Sequence, residues 1–210
     1  MSSSSLRYGD PDTRQRILAE AWELLEERGS EMTLAEVAER AGVSRQAVYL
    51  HFGDRSGLIV GLVDYVDLAL GSKKIRSYVF GAPTGVETLR RWVESMSWYT
   101  GKIDRLTMVL EWGQYDDDAL AAGWRNRMNR RQAILLGVTE RISAEGRLAQ
   151  AWTPTEAADL VYTITMPGPW RELTRELGWS EDQYLERLWK LIERAILIDS
   201  DGDHPSSDAG

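Results

Sequence analysis

Helical periodicity runs through almost every segment of the chain after Asp12, and this pattern decides the fold class. Apolar residues recur every three or four positions, whereas no convincing run of alternating, β-branched residues bounded by turn residues is found. The sequence therefore predicts an all-α protein. With 43% hydrophobic residues in 210, the chain has enough apolar side chains to bury a core in one or two domains.

The residues up to about position 54 carry signals for three short helices. The first is predicted over about 12–28. Thr33 and Glu36 have the spacing of a capping box at the start of the second helix. Ser44 is placed to cap the third. Asp54 is placed to cap a long fourth helix, which leads out of this unit and carries its apolar pattern as far as Leu70.

A second helical body follows the stretch Gly81-Ala82-Pro83-Thr84-Gly85, because glycine and proline both oppose helix continuation there. Its predicted helices cover about residues 85–101, 103–113, 117–145, 154–166 and 180–199, with a broken piece around 170–177. The last of these helices carries a wide apolar face.

The composition excludes several classes of protein. The absence of cysteine excludes disulfides, thiolate metal sites and cysteine nucleophiles, and of the two histidines, His51 and His204, the second lies in a polar tail. No nucleotide-binding glycine loop or histidine-rich metal spacing is present. We therefore expect no enzyme, no cofactor and no metal site.

The chain is expected to be cytoplasmic. No stretch approaches the roughly 18 apolar residues of a membrane span, and the start of the sequence, MSSSSLRYGD, lacks the apolar core of a signal peptide. We therefore expect no membrane partner.

The net charge of −8 argues against broad, sequence-independent binding of nucleic acid, which needs a wide cationic surface. Acidic residues outnumber basic ones even in the first 55 positions. Any DNA contact must therefore be local, and the acidic residues between positions 20 and 39 should face away from it.

Small and branched residues between positions 34 and 53 have the spacing of a helix-turn-helix. Ala38 leaves room for a close helix crossing, and Gly42 supplies the positive φ that turns the corner. Three valines fill the wedge between the helices: Val37, Val43 and Val48. The alternative is an ordinary helical hairpin within a larger bundle.

The wider segment MTLAEVAERAGVSRQAVYLHFGDRSGLIVGLVDYV resembles the DNA-binding signature of TetR-family regulators over about 50 residues. The matching elements are Thr33, Ala38, the Ala41-Gly42-Val43-Ser44 turn, Tyr49-x-His51-Phe52 and the start of the fourth helix. Residues 119–148 and Gly178-Trp179-Ser180 resemble the family's second domain more loosely. Arg55 stands where lysine is usual, and Met166-Pro167-Gly168-Pro169 interrupts a helix that is normally more continuous.

This resemblance implies a helix-turn-helix DNA-binding domain over 1–54 and a helical-bundle domain for ligand binding and dimerisation over 55–199. Residues 200–210 are too polar to be ordered, which predicts a disordered acidic tail. The implied function is a ligand-responsive regulator, with repression as the expected mode and with a palindromic duplex operator and a small-molecule effector as partners. The competing hypothesis is a helical interaction protein whose small domain binds protein.

The third helix supplies the candidate base readers. Arginine can contact guanine O6 and N7 with two hydrogen bonds, and glutamine can contact adenine N6 and N7, so Arg45 and Gln46 are predicted to read bases. The predicted phosphate contacts are Thr33, Ser44, Tyr49, His51 and Arg55. The alternatives are that Thr33 and Ser44 only cap helices and that Tyr49 packs in the core of the small domain.

Large apolar side chains of the second body are the candidates for a ligand pocket, since such pockets are mostly apolar with a few polar anchors. The predicted wall consists of Trp92, Met96, Met108, Trp112, Trp124, Met128, Arg131, Tyr162, Met166 and Trp170. Arg131 falls on an apolar stripe, where it either meets a carboxylate or water, or holds an anionic or hydrogen-bonding group of a ligand. For each tryptophan, core packing is the alternative.

The helix predicted over 117–145 carries four neighbouring arginines, which are interpreted as a solvated face: positions 125, 127, 130 and 131. Three consecutive aspartates, at positions 116–118, are interpreted as the acidic start of that helix, because residues about 100° apart cannot all face one metal ion.

The last helix exposes more apolar surface than one partner helix can cover, which predicts a homodimer. The predicted interface consists of Leu160, Val161, Ile164, Tyr184, Leu188, Trp189, Ile192 and Ile196. The alternative is that this surface packs inside the monomer against the helix at 117–145.

Overall fold

The computed structural model describes residues 11–198, and the predicted tail at 200–210, with His204, lies outside them. The helices are α1 Pro11–Arg28, α2 Leu34–Arg40, α3 Arg45–Phe52, α4 Arg55–Ala69, α5 Ser72–Phe80, α6 Gly85–Gly113, α7 Asp118–Ala144, α8 Pro154–Ile164, α9 Pro167–Arg171 and α10 Glu181–Ile196. The prediction of an all-α protein is confirmed. Strand-type pairing within residues 11–198 is limited to one isolated bridge between Leu148 and Leu197.

The chain packs as two compact units. Of the described residues, the first unit contains 11–75 together with 99–129, and the second contains 76–98 together with 130–198. The long helices α6 and α7 each contribute residues to both units. The boundary predicted at residues 54 and 55 concerns function and stays a prediction.

The predicted caps of the first unit are confirmed. Thr33 accepts a hydrogen bond from the backbone N–H of Glu36, whose carboxylate in turn accepts from the Thr33 backbone N–H, as in a capping box. Ser44 Oγ accepts from the backbone N–H of Ala47 at 3.1 Å. At the turn between α2 and α3, Gly42 has φ +63°, which explains the need for glycine there.

The end of α3 packs closely against two glycines of α4. A Cβ atom at position 57 would lie 1.9 Å from the carbonyl oxygen of Phe52, and one at position 61 would lie 3.2 Å from Cε1 of its ring. Gly57 and Gly61 are one turn apart, so together they form a shallow notch for Phe52 on one face of α4. The Arg14 guanidinium carbon lies 5.1 Å from the centroid of the same ring.

Two predicted helix boundaries are wrong. The fourth helix is predicted to include Leu70, but α4 ends at Ala69, and Gly71 with φ +75° turns the chain into the separate helix α5. Conversely, the helices predicted over 85–101 and 103–113 are one continuous helix, α6. Tyr99, Thr100 and Ile103 are all buried beside Gly101, and this burial outweighs the roughly 1 kcal/mol that glycine costs in a helix interior.

The second unit contains the predicted break around Met166. Helix α8 starts with a further capping box, between Thr153 and Glu156, and ends at Ile164. Pro167 then begins α9, because proline at that position cannot donate the hydrogen bond that would continue α8. Residues 172–176 continue from α9 as a π-helical turn.

A polar contact holds the start of α6 within the same unit. The Glu145 carboxylate accepts from the backbone N–H of Gly85 through both oxygens, at 3.0 and 2.8 Å. Arg141 donates to the carbonyl of Pro83 at 2.6 Å. A Cβ atom at position 85 would lie 2.9 Å from the backbone nitrogen of Ile142, so only glycine fits. None of the helices within residues 11–198 has the length and apolar character needed to cross a membrane.

The notch on α4 yields a prediction about stability. Gly57→Ala should destabilise the protein by about 2 kcal/mol or more, because the new Cβ meets a backbone oxygen that cannot move aside. Gly137→Ala is the matched control, because Gly137 is an exposed position within α7 where an added Cβ would have no atom within 4 Å. This change should stabilise the protein by about 0.5–1 kcal/mol. Denaturant unfolding measures both, and equal stability of the two variants would contradict the close contact.

Candidate nucleic-acid interface

Helix α3 has one buried and one exposed face. Val48 is fully buried, whereas Arg45, Gln46, Tyr49 and Leu50 are all exposed. At 100° per residue these four side chains cover an arc of about 140° opposite the buried side. Helix α3 therefore presents a guanidinium, a carboxamide, a phenol and an apolar side chain to solvent.

Tyr49 does not pack in the core, because 46% of its surface is exposed. Its hydroxyl is therefore accessible on the same face as Arg45 and Gln46. Leu50, which the sequence interpretation does not single out, is more exposed still, at 52%. Its exposure depends on where α3 packs, and an apolar residue in a short helix gives no local signal of that.

The hydroxyl groups of the two predicted caps, Thr33 and Ser44, differ in whether they can still donate a hydrogen bond. The Thr33 hydroxyl donates to the Glu36 carboxylate at 2.7 Å and accepts from the backbone N–H of the same residue. The hydrogen bonds that the hydroxyl and the backbone N–H of Thr33 donate to the Glu36 carboxylate lower the pKa of Glu36. Ser44 acts as an acceptor towards Ala47, so its hydroxyl hydrogen can still be donated. The cap role of both residues is thus confirmed, and Ser44 is the more available of the two for a phosphate.

Arg55 and His51 lie at the end of this region and are both half-buried. Arg55 donates to the carbonyl of Ser30 at 2.9 Å and to the carbonyl of Met32 at 3.4 Å. This guanidinium therefore ties the start of α4 to the turn before α2, in addition to any contact it makes with a phosphate. The His51 ring centroid lies 6.1 Å from that of Phe52.

Acidic side chains of α1 are drawn together by one arginine of α2. Arg40 forms ion pairs with Glu27 at 2.7 Å, Glu23 at 3.2 Å and Glu20 at 3.3 Å. A further ion pair joins Arg28 to Glu36. Four of the acidic residues between positions 20 and 39 are thus paired with two arginines, which offset half of their negative charge and reduce the repulsion that a nearby phosphate would meet.

Helix α4 is hydrogen-bonded near both ends within the first unit. The Ser56 hydroxyl donates to Asp117, and this bond lowers the pKa of that carboxyl. Asp117 also caps α7 by accepting from the backbone N–H of Leu120 at 3.0 Å. This agrees with the interpretation of residues 116–118 as an acidic helix start. Asp67, near the other end of α4, accepts from the Tyr99 hydroxyl.

Arg127 joins the contact between Asp67 and Tyr99. It donates to Asp67 at 3.2 Å, and its guanidinium carbon lies 5.2 Å from the centroid of the Tyr99 ring. Burial raises the pKa of Tyr99 to about 12, which keeps the phenol protonated as a donor to Asp67. The interpretation of Arg127 as part of a solvated face is therefore wrong. Its partners come from distant parts of the sequence, which helix periodicity alone does not reveal.

The predicted ligand-binding residues are divided between the two units. Met108, Trp112, Trp124 and Met128 belong to the first unit, where Trp112 is 61% exposed and thus lies at the surface. The second unit contains Trp92, Met96, Arg131, Tyr162, Met166 and Trp170. Trp92 and Trp170 are buried there, and the other four are half-buried.

Arg131 is a polar group inside the second unit. Its guanidinium carbon lies 4.8 Å from the centroid of the Trp92 ring, and its Nη2 donates to the carbonyl of Thr165. Tyr184 is buried nearby, and burial raises its pKa to about 12 even though the positive charge of Arg131 acts in the opposite direction. The protein thus holds a cation among aromatic side chains at this point.

A separate groove with a free volume of about 350 Å³ lies between α6 and α10 of the second unit. Its apolar floor is formed by Val93, Leu185 and Trp189, and its rim is charged. It is lined by none of the ten residues predicted to bind a ligand.

Most of the predicted dimer residues are covered within the single chain. Val161, Tyr184, Leu188, Ile192 and Ile196 are all buried. Leu160, Ile164 and Trp189 are half-buried, and Leu191 and Ile198 of the same apolar region are exposed. In this region, only the half-buried and exposed side chains are therefore accessible to a second copy of the chain.

Residues 17–62, from α1 into α4, match the family model of the bacterial regulatory proteins, tetR family. No curated protein matches the sequence.

Solved structures share the fold along most of the chain. NalD of Pseudomonas aeruginosa, the secondary repressor of the MexAB-OprM multidrug efflux pump, has a TM-score of 0.69 at 21% identity, over 90% of this chain and 98% of its own. SmeT, the repressor of the Stenotrophomonas maltophilia efflux pump SmeDEF, has a TM-score of 0.65 at 23% identity, over 90% and 94%. A Saccharomonospora viridis protein in complex with choline has a TM-score of 0.78 at 17% identity, over 90% and 99%.

These likenesses show a common fold, and the family match covers the helices that form the exposed α3 face. The helix-turn-helix predicted from residues 34–53 is accordingly present, as helices α2 and α3. The chain thus contains a segment that matches the tetR family of bacterial regulatory proteins, within a fold that it shares along most of its length with solved structures of repressors.

Proposed function

We propose that the protein is a cytoplasmic repressor that binds a palindromic operator as a homodimer and leaves it when a small-molecule effector binds. The observation that carries this proposal is the exposed face of α3, where Arg45 and Gln46 are accessible beside Tyr49. Arginine and glutamine are the side chains best suited to read guanine and adenine in the major groove. The repressors NalD and SmeT, which share the fold, support the choice of repression.

We assign base contacts and phosphate contacts on the operator according to which side chains are exposed and still able to form hydrogen bonds. Arg45 and Gln46 read bases. Ser44, Tyr49 and His51 contact phosphates, together with the N–H groups of Arg55 that its two carbonyl partners leave available. Thr33 acts mainly through the start of α2, because its own hydroxyl is bound to Glu36.

Truncating the base reader should change sequence preference. We expect Arg45→Ala to weaken binding to the preferred duplex by about 1–3 kcal/mol and to relax the preference at one base position in each half-site. Duplexes selected from a random pool by the wild-type and variant proteins give this result directly.

Arg125→Ala is the matched control, because Arg125 is an exposed arginine outside the proposed interface. It should select the wild-type sequence. If Arg45→Ala also selects the unchanged wild-type sequence, Arg45 is not a base reader.

The effector site is proposed around Arg131 in the second unit. Trp92, Met96, Tyr162, Met166 and Trp170 belong to the same unit and supply apolar and aromatic surface. Because a guanidinium attracts anions and repels cations, we propose an apolar effector that carries a carboxylate or another hydrogen-bond acceptor. The choline bound to the Saccharomonospora viridis protein is the useful contrast, because it is a cation.

The contacts of α4 offer a route from the effector to DNA. Arg127 and Arg131 are one turn apart on α7, and Arg127 is bonded to Asp67 of α4. Helix α4 in turn holds the end of α3 through Gly57 and Phe52. A shift of α7 on effector binding would therefore be passed to α3, which is the coupling that release from the operator requires.

An effector should quench tryptophan fluorescence and weaken DNA binding at the same concentration. A panel of aromatic and aliphatic carboxylates, with choline as the cationic comparison, should contain a compound that quenches saturably. The same compound should lower operator affinity. Thermodynamic linkage requires that the factor by which it does so equals the factor by which operator DNA lowers the affinity for the compound. Arg131→Met should weaken this effect while leaving operator affinity without effector unchanged. Quenching that leaves operator affinity untouched for every compound would contradict the proposal.

The dimer surface is proposed along α8 and α10, on the side chains that folding of one chain leaves uncovered. Leu191 is 54% exposed, Ile198 is exposed, and Leu160 and Ile164 of α8 are half-buried. Because Leu188 and Ile192 are buried, charged residues at those positions would test folding rather than association.

Leu191→Glu should therefore convert the dimer to a monomer, because it puts a charge into an apolar contact. Sedimentation at micromolar concentration should give twice the chain mass of 23.8 kDa for the wild type and the chain mass for the variant. Leu177→Glu is the control, since Leu177 is an equally exposed leucine outside α8 and α10. A wild-type species at the single-chain mass would contradict the dimer.

A further inference from the structure

Leu50 is the one apolar member of the exposed arc of α3. It is 52% exposed, and it follows Gln46 by one helical turn. Val48, on the opposite side of α3, is fully buried, so packing of this helix against the rest of the unit does not need Leu50. A polar residue would suit water better at this position.

We propose that Leu50 reads a thymine of the operator by contacting its 5-methyl group in the major groove. This inference rests on the proposed function of α3 as the DNA-reading helix. Among the groups that base pairs present in the major groove, the thymine methyl is the apolar one, and apolar side chains are its natural contacts. Leu50 thereby adds a hydrophobic specificity element to the hydrogen bonds of Arg45 and Gln46.

The spacing on α3 also locates this thymine. Four residues of helix advance by about 6 Å, and successive base pairs are about 3.4 Å apart. Leu50 and Gln46 lie on the same side of the exposed arc, about 40° apart. The thymine read by Leu50 is therefore one or two base pairs from the adenine read by Gln46, which predicts an A·T-rich segment in each half-site.

Replacing thymine by deoxyuridine isolates the methyl group, because the two bases present the same hydrogen-bonding groups. In the duplex selected by the wild-type protein, each thymine is replaced in turn by deoxyuridine, and affinity is measured for every duplex. We expect one position in each half-site to lose about fourfold in affinity, as the loss of one buried methyl group implies. Leu50→Ala should bind the unmodified duplex more weakly and should lose its sensitivity to deoxyuridine at that position.

Leu68→Ala is the matched control, because Leu68 is an exposed leucine of α4. It should keep the full deoxyuridine effect. Thermal unfolding of Leu50→Ala should match that of the wild type, since Leu50 is exposed.

The outcomes separate the role of Leu50 from the proposed function. If no deoxyuridine position matters, or if Leu50→Ala retains the full deoxyuridine effect, the role of Leu50 is overturned while operator binding stands. If the protein selects no duplex sequence at all, both the proposed function and the role of Leu50 are overturned. A position at which wild type and Leu68→Ala, but not Leu50→Ala, detect the methyl group establishes the contact.

Discussion

The contact between Phe52 and the glycine notch of α4 is the constraint on which the exposed face of α3 depends. The Phe52 carbonyl oxygen lies where a Cβ atom at position 57 would be, and its ring lies against Gly61. With Val48 buried on the inner side of α3, the helix is held by its inner face and by its end. Arg45, Gln46 and their neighbours therefore project to solvent because the packing of α3 leaves them no other direction.

Helix α4 extends this constraint to the rest of the first unit. Ser56 in its first turn is bonded to Asp117, the cap of α7, and Asp67 near its other end is bonded to Tyr99 of α6 and Arg127 of α7. These polar contacts are partly buried, so separating one partner from the other has a larger cost than at the surface. Helix α4 is thus tied to both α6 and α7 within the first unit.

Local chemistry made the helix-turn-helix predictable. The capping patterns at Thr33 and Ser44 and the positive φ at Gly42 depend on a few consecutive residues, and the structure contains all three. The continuity of α6 through Gly101 and the partial burial of Arg127 depend on distant partners, so periodicity predicted them wrongly. The exposed state of Leu50 likewise follows from which side of α3 packs inward.

The proposed function requires a symmetric pair of α3 helices that reads two half-sites of one operator. Hydroxyl-radical footprinting of the selected duplex tests this most directly, because it reports where the protein covers the sugar backbone. We expect two protected patches on one face of the duplex, with half-site centres about 10–10.5 base pairs apart, or a multiple of that spacing. A single protected patch, or uniform protection of any duplex regardless of sequence, would contradict the paired reading of two half-sites.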